Sequence, residues 1–236
     1  MRSLRTAGIA ALFLGLSVCA NAQAEDDEEA IVPETIDELL AAINDVLEET
    51  ETPGVALAVV NEEGPEYIGA LGKANIENDI DADADTLFRI GSTSKMFVAL
   101  SVLQLVEEGQ LSLDDKLADL APEIEFENPW EDTHPVRLVH LLEHTTGWDD
   151  IHLVEYAHND PTPATLKEGL DYHPHSRKSR WQPGTRMSYC NAGPPVAAYV
   201  VQKVTGQDFE DYVQENFFSP LGMSGATYRR SEAVQE

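Results

Sequence analysis

The chain has 236 residues, room for one large or two small domains at roughly 150 residues each. Apolar residues make up 42% of it and three are Trp, enough to build a substantial core. Against 15 Lys and Arg stand 43 Asp and Glu, a net charge of -28, which excludes nucleic acid and anionic lipid as partners because both require clustered cations.

Residues 1–24 have the form of an export signal. Arg2 and Arg5 give a basic start, residues 7–18 an apolar run, and Ala20-Asn21-Ala22 and Ala22-Gln23-Ala24 small-residue cleavage sites. The run is shorter than the ~20 residues a bilayer crossing needs, so no stable membrane span is expected and the protein is expected to be periplasmic or secreted. Cys19, after Leu16-Ser17-Val18, offers lipoprotein anchoring as the less favoured alternative, because the bulky Val18 stands where a small residue is wanted. Once Cys19 leaves with the signal, Cys190 is alone and the mature chain has no internal disulfide. The acidic run 25–29 opens a leader, residues 25–33, that is expected to be disordered.

Thr35 with Glu38 predicts a capping box, and Ile36, Leu39, Leu40, Ile43 and Leu47 repeat on one face of the helix that follows. Pro53-Gly54 breaks it. Residues 54–60 and 66–71 then predict two strands of a hairpin around a turn at 61–65. The acidic stretch 79–85 imitates a calcium loop, but counting from Asp81 it has Thr86 where glycine is required and Ser92 where the closing glutamate should be. It is taken as a solvated loop. Gly91 precedes a long helix over 92–108, apolar around most of its circumference, so expected to be buried nearly all round, and ended by Gly109. Further helices are predicted over 136–143, 196–204 and 209–217, with Pro195 and Asp208 at two starts and Gly206 at one end.

Ser92-Thr93-Ser94-Lys95 is an S-x-x-K motif. A spacing of three on a helix brings both side chains to one face, so Lys95 can reach the Ser92 hydroxyl. The start of a helix favours negative charge and suits the oxyanion formed when that hydroxyl attacks a carbonyl. Lys95 is expected to be buried, where an uncharged amine can serve as a base. In Tyr189-Cys190-Asn191, the alternation of an extended segment puts Tyr189 and Asn191 on one side and Cys190 on the other. A phenol beside a lysine can relay protons, and Asn191 can hold Lys95 and a substrate amide. Each motif has a plainer reading: a solvated first helical turn for Ser92 and Lys95, a packing tyrosine for Tyr189, a turn residue for Asn191.

Taken together, the segments resemble the class C β-lactamase and D,D-peptidase superfamily of serine enzymes. Residues 86–95, Thr-Leu-Phe-Arg-Ile-Gly-Ser-Thr-Ser-Lys, are similar to its nucleophile segment. Leu141-Leu142-Glu143-His144-Thr145-Thr146-Gly147 resembles its LLxHTSG loop, Pro183-Gly184-Thr185 through Tyr189-Cys190-Asn191 its PGxxxxYSN segment, and Pro220-Leu221-Gly222-Met223 its PLGM turn. The resemblance implies an α/β fold of the α+β type, an antiparallel sheet packed with helices plus a helical subdomain. It implies Ser92 as the acylated nucleophile, Lys95 as its base, Tyr189 as proton relay and Asn191 as a substrate contact. The partner implied is a small-molecule or peptide acyl substrate such as a β-lactam, a D-Ala peptide or a small ester or amide, with no metal or organic cofactor. A non-catalytic penicillin-binding sensor and an inactive fragment are the alternatives.

Two departures stand out. The superfamily's third motif, Lys/His-x-Gly on a later strand, has no counterpart after the PLGM turn, so residues 34–236 are expected to be a partial domain lacking its C-terminal strands and having little activity alone. Gly193-Pro194-Pro195 replaces the usual glycine-aromatic pair. His173-Pro174-His175 lacks a third ligand at metal-binding spacing and is taken as loop, while His144 is expected to brace the loop over the site.

Overall fold

The computed structural model describes residues 32–153, 164–172 and 174–229. The export signal, nearly all of the acidic leader and His173 lie outside the described residues. The chain divides after Phe88 into two compact units.

In the first unit, helix α1 spans Ile36–Glu49. The Thr35 hydroxyl accepts from the Glu38 amide at 3.2 Å, as the cap pattern predicts, but the Glu38 carboxylate closes back on the Glu34 amide at 2.8 Å, one residue earlier than a capping box requires. Of the apolar stripe, Leu47 is buried, and Ile36, Leu39, Leu40 and Ile43 are half-buried. Strands β1 (Gly54–Asn61) and β2 (Gly64–Asn75) form an antiparallel hairpin with Gly54 opposite Gly72 and a register shift at Val59/Val60. The second strand runs four residues beyond its predicted end and pairs with a two-residue strand β3, Ile80–Asp81, giving the order β1-β2-β3. Part of the acidic stretch expected to be loop is therefore strand. Two residues are too short to show an alternating pattern, and Lys73 supplies the reason for pairing: its Nζ lies 2.8 Å from Asp79 and 2.5 Å from Asp81.

The second unit is built around helix α6, Gly193–Thr205, on which α2 (Lys95–Glu107) and α4 (Leu138–Leu142) both pack. Val196, Ala197, Val200 and Val201 of α6 are fully buried against Val102 of α2 and Leu138 and Leu141 of α4. Its two prolines fall in the first turn, where a missing N–H costs nothing, and Gly206 ends it at φ 70°. A Cβ on Gly193 would stand 3.0 Å from the Leu141 carbonyl, so the glycine lets the helix start close to α4. Short helices α3 (Leu117–Leu120) and α5 (Leu166–Asp171) have too few turns to leave a period in the sequence.

Three expectations are corrected here. The helix predicted from Ser92 begins as a tight 3-10 turn, Gly91–Ser94, and becomes α-helical only at Lys95. That helix is not buried all round, for Met96, Leu100 and Leu103 are 48%, 42% and 45% exposed along one face. Uniform apolarity hid the fact that only one side is covered. The helix predicted over 209–217 is α7, Phe209–Val213, followed by a wide π turn at Gln214–Phe218. The widening directs Phe218 edge-on to Phe97, centroids 4.9 Å apart, and brings Phe217 to 6.3 Å.

Candidate active site

The approach to Ser92 is set by Gly91, at φ +54°, a left-handed conformation that residues with a Cβ avoid. The chain then tightens into the 3-10 turn, fixed by the Ser94 hydroxyl donating to the Gly91 carbonyl at 2.7 Å. From the far end of the unit, Tyr228 donates its hydroxyl to the Ser94 carbonyl at 2.7 Å, and its ring stacks on Phe218 at 6.0 Å and meets Phe209 edge-on at 5.6 Å. Burial pushes the Tyr228 phenol up to about 12, so it stays a donor throughout the physiological range. The turn carrying the nucleophile candidate is thus clasped to the aromatic cluster after α7.

A second segment reaches the same place from far along the chain. The loop 144–147 and the stretch 179–190 are zipped by backbone bonds: Arg180 to Gly147 at 3.0 Å, Gly184 to Thr145 at 2.9 Å and Ser188 to His144 at 2.9 Å, each written donor first. Gly147 has φ +75°, and a Cβ there would stand 2.8 Å from the Trp181 carbonyl, so only glycine permits this closeness. Cys190 is buried, with its amide donating to His144 Nδ1 at 3.3 Å, while Tyr189 on the opposite side stays 46% exposed. The alternation expected of this segment holds.

The two pieces converge on one atom. Ser92 Oγ accepts from Lys95 Nζ at 2.9 Å and from Tyr189 Oη at 2.7 Å, the latter across 97 residues of sequence. Ser92, Lys95 and Tyr189 are thus joined by hydrogen bonds that neither a solvated turn nor a packing tyrosine requires. Lys95 Nζ also lies 5.0 Å from the Tyr189 ring centroid. Hydrogen bonds from Lys95 and then Ser92 hold the Tyr189 phenol below its ordinary range, outweighing its slight desolvation. Lys95 is half-buried rather than buried, because the 3-10 turn places it at the rim of the core instead of inside a continuous helix.

His144 braces Tyr189 itself as well as the loop. Its ring lies 4.4 Å from the tyrosine ring at 35°, and its backbone is left-handed at φ +58°, a conformation the zipped loop imposes. Desolvation lowers its pKa, against a smaller opposing pull from the Cys190 backbone, which favours the uncharged ring. Asn191 does not turn its amide to Lys95. Nδ2 instead donates to both carboxylate oxygens of Asp150, at 3.1 and 3.2 Å. The sequence reading missed Asp150, although its place three residues beyond the HTTG-type loop was a usable signal.

With two donors closing on Ser92 from the S-x-x-K turn and the Tyr189 segment, the comparisons with known proteins become informative. The beta-lactamase family model matches residues 34–236. The chain belongs to the beta-lactamase family. It is 28% identical to penicillin-binding protein 4 of Amycolatopsis lactamdurans over 187 residues, covering 79% of this chain and 48% of that protein. It is 27% identical to a beta-lactamase of Yersinia enterocolitica over 190 residues, 80% of this chain and 46% of that protein. Among solved structures, the octameric penicillin-binding protein homologue of Pyrococcus abyssi superposes with a TM-score of 0.74 at 28% identity, covering 85% of this chain and 46% of that one. The chain therefore spans about half the length of the relatives it matches. The α/β class expected from sequence, mixed helices and antiparallel sheet, is that of the beta-lactamase and penicillin-binding fold.

Proposed function

We propose that the protein is a serine hydrolase that forms an acyl-enzyme on Ser92 and acts on β-lactams, D-Ala peptides or small esters and amides. The observation carrying this reading is the meeting of Lys95 Nζ and Tyr189 Oη on Ser92 Oγ. Both bonds are of full strength by length, and no packing role needs them at an exposed serine. In the proposed reaction, Lys95 is the base and Tyr189 the relay: as Ser92 Oγ attacks the substrate carbonyl, its proton passes to the Tyr189 oxygen while the phenol's own proton passes to Lys95, which returns it once Tyr189 has protonated the leaving group. The tetrahedral intermediate collapses, the leaving nitrogen or oxygen takes that proton from Tyr189, and the acyl group stays on Ser92. Water then repeats the sequence, giving up its proton through Tyr189 and releasing the carboxylic acid and free Ser92.

We infer also that the protein is exported, to the periplasm or the medium. The pattern of residues 1–24 supports this, and among the described residues no helix is long and apolar enough to cross a membrane. A substrate panel of a chromogenic cephalosporin, a D-Ala-D-Ala peptide and a p-nitrophenyl ester, assayed with the intact gene product and Ser92→Ala, tests the reading. Turnover of at least one substrate, abolished by the substitution, is expected. Turnover that survives Ser92→Ala would refute it.

A further inference from the structure

Asp150 has more partners at the site than its exposed position suggests. Its Oδ1 accepts from the Asn191 amide N–H at 2.7 Å, from the Ile151 N–H at 2.8 Å and from Asn191 Nδ2 at 3.1 Å, and its Oδ2 accepts from the same Nδ2 at 3.2 Å. A carboxylate can only accept, so it decides which end of the Asn191 amide faces it. The NH₂ end therefore faces Asp150, which turns the carbonyl Oδ1 away from that carboxylate and leaves it able to accept from a substrate. The adjacent Asp149 is paired with Arg180 at 3.2 Å, but among the described residues Asp150 has no ion pair. Partial burial raises its pKa, yet the bonds from Asn191 and Ile151 and the charge of Lys95 more than offset this, so it remains ionised. Its field reaches both Lys95 and Tyr189. One edge of the acyl site therefore presents an acceptor oxygen backed by a fixed negative charge.

We propose that the Asp150–Asn191 pair sets the substrate class of the acyl site, favouring acyl groups that bring an ammonium or N–H donor to Asn191 and rejecting those that bring a carboxylate. This rests on the serine-hydrolase reading above. A carbonyl oxygen cannot hydrogen-bond a carboxylate, and a carboxylate brought beside Asp150 is repelled by its like charge, the more so at low salt. An ammonium gains both the hydrogen bond and the charge.

The test compares three aminoacyl p-nitroanilides that share one side chain: a free α-ammonium, its N-acetyl derivative and its N-succinyl derivative. The intact gene product, Asp150→Asn and Asp150→Glu are assayed, with rates counted per serine titrated by a neutral fluorophosphonate. The parent protein is expected to favour the ammonium over the succinyl substrate by roughly tenfold or more in kcat/KM, with the difference mainly in KM and shrinking at high salt. Asp150→Asn should narrow that ratio by about fivefold or more, and Asp150→Glu should restore part of it. A ratio unchanged in Asp150→Asn, or a parent protein that prefers the succinyl substrate, overturns the proposal while leaving the nucleophile assignment intact. Loss of titratable serine in Asp150→Asn but not in the parent overturns it in favour of a purely structural role. A parent protein that the fluorophosphonate does not label overturns the serine-hydrolase reading and this proposal with it.

Discussion

Replacing Tyr189 by Phe isolates the phenol's contribution. The substitution removes one of the two donors on Ser92 Oγ, the one at 2.7 Å, and leaves the bond from Lys95 at 2.9 Å. The ring can stay 4.4 Å from His144, so the segment keeps its packing. With the tyrosine 46% exposed, the lost hydrogen bond should cost no more than about 1 kcal/mol of stability. General acid-base help from a positioned side chain is worth about 10²–10⁴ in rate, or roughly 3–5 kcal/mol of barrier. Pseudo-first-order acylation of the intact gene product by a fluorescent penicillin or fluorophosphonate, alongside thermal unfolding, separates the two effects. Acylation should fall at least a hundredfold while Tm moves by only a few degrees. An acylation rate within about threefold of the parent would refute a proton-handling role for Tyr189. So would a loss of rate matched by an equal loss of folded protein.

Other outcomes follow from the same geometry. Because hydrogen bonds with Lys95 and Ser92 hold the Tyr189 phenol below its ordinary range, acylation should rise with pH along a limb centred below that range; pH-rate profiles should show that limb lost in Tyr189→Phe. Gly147→Ala forces a Cβ to within 2.8 Å of the Trp181 carbonyl at φ +75°. It should cost about 2–3 kcal/mol in chemical denaturation and slow acylation by displacing His144. Glu123 accepts from Lys203 at 2.9 Å and Tyr199 at 2.7 Å, and the Lys203 bond dominates in lowering its pKa to about 2 from 4.5. Its folded pKa being depressed, the stabilisation is fully present above pH 4.5 and is lost as pH falls towards 2. Since the Glu123 side chain is 37% exposed, screening limits the effect, and Glu123→Gln should lose only about 0.5–1 kcal/mol at neutral pH, a difference that closes on acidification.

What could be read from sequence was local or carried by the family resemblance. The stripe of α1, the glycines after α2 and α6, and the i,i+3 spacing of Ser92 and Lys95 are short-range features that the backbone period makes visible. The meeting of Ser92 with Tyr189 spans 97 residues and left no local trace; the resemblance alone anticipated it. Where the reading failed, tertiary context decided. A single lysine between two aspartates turned part of an acidic loop into β3, and the 3-10 turn at Gly91–Ser94 moved Lys95 to the rim of the core. The place of Asp150 after the HTTG-type loop was legible, but its role was not, because that depends on which way an amide 41 residues away is turned.

Ser92 as the acylated atom is tested most directly by peptide mapping. The intact gene product is incubated with a β-lactam or fluorophosphonate, digested, and analysed by mass spectrometry for the site of the adduct. A single adduct on the peptide bearing Ser92, absent after Ser92→Ala, is the predicted result. An adduct on another serine, or the same labelling in Ser92→Ala, would contradict the account.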